Sequence, residues 1–584
     1  MVSSGAPVKR APPKRTAELR ASTSQLPDIS QMSVVGMGGG TRSGGGARPP
    51  SLASAAGRPA PKLYLNFAAC GAALTDSPSH DSSEMRAHSS DGGGRPLMPV
   101  TQAFQACVKV YCTSVAPCYA LPWIRGEESH STSSGFAVAL PSGHHRLLVQ
   151  AQVVENCTRV QVRRDGHAQK YVARVECVGH DCHLAVLNVD DDQFWRGMPA
   201  LPLPVGLPQT MSEVLAAGFP AGGDELSTSR GVVNRILLGG PSRDLCVQIN
   251  PGVQAGQAGG PVFLTNGQLV GMACCGREQN AHLSGYIIPM PVIHTFLQNA
   301  QVQGVYTPAG PSSAALARPI FVSKCVDSYR VQPIENVELR LQLGLPGRPA
   351  EGEDGGVLIT RVPKDSPSYG LLHEKDVLLA IDGHQIASDG TVLLHDSIDP
   401  LRVNLRHIVQ RATLGSTLKY LVLRESKKAV VSVPAQPRLP RLLPARHPTP
   451  TPQWLVLGGL VFVPLLPEYE AIVPKSKLAA IHEPPQDGEQ VVLLLRVLQA
   501  EINIGYEDIC GMMETFNGEK VISLAHMNDC VKKLRQQNDH PQLEFVLVTG
   551  ELLVLDAEIC WATEEEIFSV HAIPRRCSLD ADDL

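Results

Sequence analysis

The chain has 584 residues, about four folding units at roughly 150 residues each. Its 51 Lys and Arg against 56 Asp and Glu leave a formal charge of −5, so it lacks the overall basic excess of a nucleic-acid binder. Aromatic residues at 5% are too sparse for a base-stacking platform, and Gly 52 plus Pro 47, against a usual ~12% for the two together, favour loop-rich β domains over a helical bundle.

The first 62 residues hold Glu18 and Asp28 as their acids, with basic pairs at Lys9-Arg10 and Lys14-Arg15. Such a segment has too little apolar surface to offset chain entropy, and the same style continues through Pro99, so a disordered tail is expected over 1–100. Its Ser, Ala and Arg with few acids resemble an organelle transit segment, while the basic pairs resemble a nuclear-import signal; plastid and nucleus both stay open. No apolar signal-peptide core is present, so a secreted protein is not expected. The 15 cysteines show no CxxC pair and no regular Cys/His spacing. Free thiols in an intracellular, reducing compartment are therefore expected, with no structural metal and no cofactor.

From Val108 to about Ala300, short β-branched runs alternate with Gly, Pro and Asp turns. They are Val108–Tyr111, Phe136–Leu140, Leu147–Val154, Val160–Arg163, Ala185–Val189, Val214–Gly218, Gly231–Leu237, Val262–Leu264 and Leu269–Ala273. This pattern predicts a mostly β barrel or sandwich over 101–305, closed by one helix at Val292–Gln298. Prolines at 434, 437, 440, 444, 448, 450 and 452 predict a semi-rigid spacer over 436–452. The longest apolar run, Trp454 to Leu466, is shorter than the ~20 residues of a membrane span and contains Gly458, Gly459 and Pro464, so it is expected to be a core strand.

Three segments of the first domain carry a specific order of motifs. Gly256-Gln257-Ala258-Gly259-Gly260-Pro261 has the shape of the Gly-x-Ser-Gly-Gly-Pro turn of trypsin-like serine proteases, with alanine in place of serine. Leu147 to Val154 resembles the segment that carries the general-base histidine and has Gln152 there; Asp181 to Leu187 resembles the segment that carries the orienting aspartate and has His183 there. Further matches are Ser133-Ser134-Gly135-Phe136, Asp191 to Trp195, Gly218 to Asp224, Gly231 to Ile236 and Gly285 to Pro289. Together they resemble the DegP/HtrA (Do-like) proteases, most closely the plant and algal subgroup with two PDZ domains. The resemblance implies a trypsin-like double β-barrel followed by two PDZ-like α+β domains.

Nucleophilic acyl transfer needs a hydroxyl or thiol, a base, and a group that fixes the base's tautomer. Ala258 has no nucleophilic atom, Gln152 cannot shuttle a proton near neutral pH, and His183 carries no fixed negative charge. The domain is therefore expected to be a pseudoprotease, its turn backbone at Gly256, Gln257 and Ala258 left as a nest for a peptide carbonyl or merely as a requirement of the fold. A relocated Cys–His pair drawn from His144, His145, His180, His183, Cys274 or Cys275 is the disfavoured rescue.

Residues 318–435 hold Gly355 to Val362, Asp365-Ser366-Pro367, Asp376-Val377-Leu378 and the hairpin signal Asp382-Gly383, which is similar to a PDZ domain of this family; Ile320-Phe321-Val322 is expected at its peptide groove. Residues 453–565 repeat the pattern, with Phe516-Asn517-Gly518 as a hairpin turn and Ile502 to Glu507 matching the subgroup's second PDZ; a tail follows over 566–584. The expected function is a proteolytically inactive homologue that binds unfolded or C-terminal peptide segments as a chaperone. It could equally serve as a regulatory subunit, through trimeric or hexameric self-association or hetero-assembly with active relatives. The alternatives are an active serine endopeptidase of protein quality control and a purely structural oligomer partner.

Overall fold

The computed structural model describes residues 98–140, 142–239, 244–250, 253, 256–274, 285–304, 319–348, 355–394, 400–444, 452–537 and 541–579. The expected disordered tail up to residue 97 and the acidic end from Asp580 lie outside them.

Six strands form the first barrel: β1 (Cys107–Pro117), β2 (Arg125–Ala139), β3 (His145–Gln150), β4 (Cys157–Arg164), β5 (Lys170–Gly179) and β6 (Leu184–Asn188). The sheet runs β5-β4-β1-β2-β3-β6, and β6 pairs back onto β5 to close it. Val108, Val110, Phe136, Leu147, Leu148 and Val186 are fully buried, on both faces of this sheet. The outer half of β2, Arg125 to Thr132, is polar and exposed, so the β1–β2 hairpin stands out beyond the barrel.

The second barrel is β7 (Glu213–Gly218), β8 (Ser227–Gly239), β9 (Asp244–Asn250), β10 (Pro261–Leu264), β11 (Leu269–Cys274) and β12 (Gly285–Pro289). It closes in the order β10-β11-β12-β9-β8-β7 around Val214, Val233, Val247, Val262 and Ile287. A helix, Met290–Val302, ends the domain where the sequence places one. The expected strand Leu147–Val154 stops at Gln150; residues 151–154 turn into a 3-10 helix because the Ala151 N–H donates to His183 O (3.0 Å).

β13 (Ile320–Phe321) adds in parallel to β5, with Ile320 opposite Cys177 and Phe321 opposite Val178. A second sheet follows, made of β14 (Arg330–Pro333), β15 (Val357–Arg361), β16 (Val377–Ile381), β17 (His384–Gln385), β20 (Thr417–Arg424) and β21 (Lys427–Pro434), with a small ribbon of β18 (Thr391–Leu394) and β19 (Leu401–Asn404). Its path is β14-β15-β16-β20-β21. Asp382 (φ 49°) and Gly383 (φ 81°) make the two-residue turn between β16 and β17, both at the positive φ that such a hairpin requires.

The last unit holds β22 (Leu455–Leu457), β23 (Leu460–Pro464), β24 (Val492–Val497), β25 (Gly511–Phe516), β26 (Glu519–Lys520), β27 (Gln542–Leu547) and β28 (Leu552–Asp556), with a 14-residue helix, Leu524–Gln537. The apolar run from Trp454 is the β22–β23 hairpin, turned at Gly458 and Gly459 and buried against Leu553, Leu555 and Cys560. Among the described residues no helix is long and apolar enough to cross a membrane.

Two features join these units. The tip of the β1–β2 hairpin packs on the last unit: Tyr469 Oη donates to Tyr119 O (2.8 Å), Trp123 Nε1 to His571 O (3.1 Å), and the Trp123 and Trp454 rings meet edge-on at 6.4 Å. The proline-rich segment is pinned over its described first half, with Leu443 N donating to Ile481 O (2.8 Å) and Arg441 Nε to Asp365 Oδ2 (2.7 Å).

Candidate functional site

Gln152, His183 and Ala258, the positions expected to correspond to a catalytic triad, are drawn to one region by backbone and amide hydrogen bonds. Gln152 sits exposed on the 3-10 turn after β3, held next to the His183 loop by the Ala151–His183 bond. His183 itself adopts a left-handed backbone (φ 59°) at the end of the turn His180–Cys182, which aims the chain into β6. The Ala273 carbonyl on β11 accepts from Gly259 N (2.8 Å) and from Gln150 Nε2 (3.4 Å), and so joins the end of β3 to the Ala258 turn across the two barrels.

The turn 256–260 is fastened through its carbonyls. Ala258 O accepts from Ser133 Oγ (2.8 Å) and Ser134 N (3.2 Å), Gly256 O accepts from Ser134 Oγ (2.7 Å), and Gln257 O accepts from Gly260 N (3.0 Å). Ser134 Oγ also receives the Phe219 N–H at 2.7 Å. The Gln257 side chain is fully buried and takes a bond from Ser229 Oγ (2.9 Å). A Cβ at Gly259 would lie 2.2 Å from Ser134 O, and one at Gly260 would lie 1.9 Å from Ala217 O. Close backbone approach therefore explains these glycines without any ligand. Sequence reasoning placed Ser133 and Ser134 in a matching segment but gave them no task; a serine pair directly before Gly135-Phe136 was the available signal.

Of the three matching side chains, only His183 can exchange a proton, and Ala258, itself nearly buried, presents a methyl group. The neighbouring thiol offers no substitute. Cys182 is buried, donates to Gly179 O (3.4 Å), and is kept protonated by burial, far above the ordinary thiol range. Cys274 is buried at the end of β11, and Cys275 lies outside the described residues. His144 and His145 stand at the start of β3, about 16 Å of strand away from Gln150. His180 faces the Phe321 ring at 5.8 Å.

The segment expected at a peptide groove is placed elsewhere. Ile320 and Phe321 lie on the first barrel as β13, and Val322 N donates to Val178 O (2.9 Å), so this backbone edge is already paired. The next lysine ties the same region together, with Lys324 Nζ donating to Asp181 O (3.2 Å) and Asp244 Oδ2 (3.1 Å).

The barrels are also clamped by charge. Lys109 on β1 is buried and donates to Gly223 O (2.6 Å) and Asp224 Oδ1 (2.8 Å) on the β7–β8 loop. That bond, with the charge of Lys109 and of Arg163, holds the Asp224 carboxyl below its ordinary range.

Residues 134–272 match the trypsin-like peptidase domain family, and residues 443–580 match a PDZ domain family. "Protease Do-like 2, chloroplastic" of Arabidopsis thaliana is 32% identical over 492 residues, covering 81% of this chain and 75% of that protein. "Protease Do-like 4, mitochondrial" of the same plant is 30% identical over 478 residues, covering 81% of this chain and 84% of that protein. A solved structure of the HtrA-type protease AlgW with a decapeptide aligns over 59% of this chain and 98% of its own, at 20% identity and a TM-score of 0.41.

Proposed function

The chain belongs to the Do-like (DegP/HtrA) protease family, and from that premise we propose that it is a member that no longer cleaves and instead binds extended peptide segments, as a chaperone or as a regulatory subunit of an oligomer. The observation that carries this reading is Ala258 in the turn that should supply the nucleophile. The turn is held by bonds from Ser133 and Ser134, which supports a scaffold kept without its reactive atom. In the best-studied serine protease, removing the nucleophile alone lowers turnover by about 10⁶. Gln152 and His183 add the loss of the base and of the acid.

Peptide binding is supported by the matched PDZ domain, because PDZ domains take up an extended peptide as an added strand. We assign the sheet of β14 to β21 to a second PDZ-like module. Among the described residues its edge strands β14 and β21 are each paired on one side only. In the last unit, by contrast, β22 is already bridged by the chain's own Cys577, with Val456 N donating to Arg576 O (2.9 Å). Among the described residues the module of β14 to β21 therefore offers a client two edges paired on one side only, against one, β28, in the last unit.

The test is casein cleavage by the purified protein, expected to be absent; cleavage blocked by a serine- or cysteine-directed reagent would overturn the reading. Restoring Ala258→Ser, Gln152→His and His183→Asp together is expected to recover cleavage, whereas A258S alone is not. Peptide arrays separate a client-binding protein from a purely structural oligomer partner, which would retain nothing. The relatives' names place them in plastids and mitochondria, which favours an organelle address here; a fluorescent fusion of residues 1–62 tests it.

A further inference from the structure

The β25–β26 hairpin and the helix Leu524–Gln537 bring three metal-ligating side chains to one point. Glu519 opens β26 just past the Asn517-Gly518 turn. His526 and Cys530 are four residues apart and share one face of the helix. His526 Nε2 lies 3.3 Å from Glu519 Oε1, and Cys530 Sγ lies 3.6 Å from Glu519 Oε2 and 3.7 Å from His526 Nε2. Among the described residues this is the one such group of three whose donor atoms fall within 4.8 Å of each other.

We propose that Glu519, His526 and Cys530 bind a divalent transition-metal ion of the zinc type, with its fourth position open to water or an incoming ligand. The spacing carries the inference. A tetrahedral zinc with bonds of about 2.3 Å to sulfur, 2.05 Å to nitrogen and 2.1 Å to oxygen separates S from N by ~3.6 Å, S from O by ~3.6 Å and N from O by ~3.4 Å. The S–N separation in the protein agrees with this to about 0.1 Å; the carboxylate faces both partners, His526 through Oε1 and Cys530 through Oε2, so a turn of the exposed Glu519 side chain brings one oxygen onto the third corner. A thiolate, an imidazole and a carboxylate together suit zinc or cobalt rather than calcium or magnesium.

The same three residue types could instead form a proton relay, but a relay needs the thiol and the carboxylate on opposite ring nitrogens. Here both meet Nε2, and Nδ1 is buried with no hydrogen-bond partner. Access is graded. The Glu519 side chain is 65% exposed, that of His526 is 26% exposed, and Cys530 is buried, so an ion arriving from solvent meets the carboxylate first and the sulfur last. The sequence showed no regular Cys/His spacing because the third donor comes from across a hairpin rather than from the same helix.

The test uses the full-length protein, reduced and stripped of metal, titrated with Co²⁺. One equivalent is expected to bind, producing a thiolate-to-cobalt charge-transfer band and strong visible d–d bands, and Zn²⁺ is expected to displace it. C530S should lose the charge-transfer band. E519Q, which alters an exposed side chain, should weaken Co²⁺ binding at least tenfold. An unchanged band in C530S would place the metal on a different thiol, and a wild-type protein that binds no Co²⁺ would overturn the site outright. Melting in chelator, where C530S and wild type should coincide, shows whether that variant folds. If it does not, undiminished affinity in E519Q overturns the proposal alone.

Discussion

Ala258, Gly259 and Gly260 form a turn held by the serines before Gly135 and by close backbone approach. The two glycines are fixed by sterics alone, and Gly260 is the cleaner case because its backbone needs no positive φ. Gly260→Ala drives a Cβ into the Ala217 carbonyl and is expected to destabilise the protein by roughly 1–3 kcal/mol, read from urea unfolding. Ser134→Ala strips both Phe219 N and Gly256 O of their shared partner and should be destabilising by about 1–3 kcal/mol in the same assay. At Asp224 the expected signature is pH dependence. Because its folded value is depressed, the Lys109–Asp224 contact stabilises fully above the unfolded value of about 3.9 and fades as pH falls through the folded one. The melting difference between wild type and D224N should therefore shrink towards zero in acid; a constant difference would show that the clamp is not electrostatic.

Individual elements differ in how much of them the sequence could reveal. Strands such as β4, β7, β8 and β10 were legible because β-branched residues run between turn formers. The β5 and β9 strands were not singled out, since Lys170 to Gly179 and Asp244 to Asn250 mix charged and polar residues into the run. The link between the Ala258 turn and the end of β3 was not legible, because it runs through the Ala273 carbonyl of a third strand. The placement of Ile320 to Val322 was not, because a two-residue parallel strand is specified by its partner β5 and not by its own pattern. Nor could any local signal show that the β1–β2 tip docks some 330 residues away in sequence, through Trp123 and Trp454. Trp123→Ala removes that ring contact and the bond to His571 O, and should cost about 2 kcal/mol, with faster hydrogen exchange confined to 118–125 and the segments around Trp454 and His571.

For the whole molecule, the last unit is part of the body and not an appendage. Tyr119, Leu121 and Trp123 are partners of its core, so a chain ended after residue 435 is expected to leave them uncovered and to bind an apolar dye more strongly than the intact protein. The attachment of β13 has a mechanical counterpart. A hinge between the first barrel and the β14–β21 module cannot be a loose tether, because Val322 and Lys324 are bonded to Val178, Asp181 and Asp244 immediately before the module begins. When that module tilts, it must either peel a strand from the barrel wall or carry the 177–183 bend along with it, which makes the geometry around His183 a gauge of the module's angle.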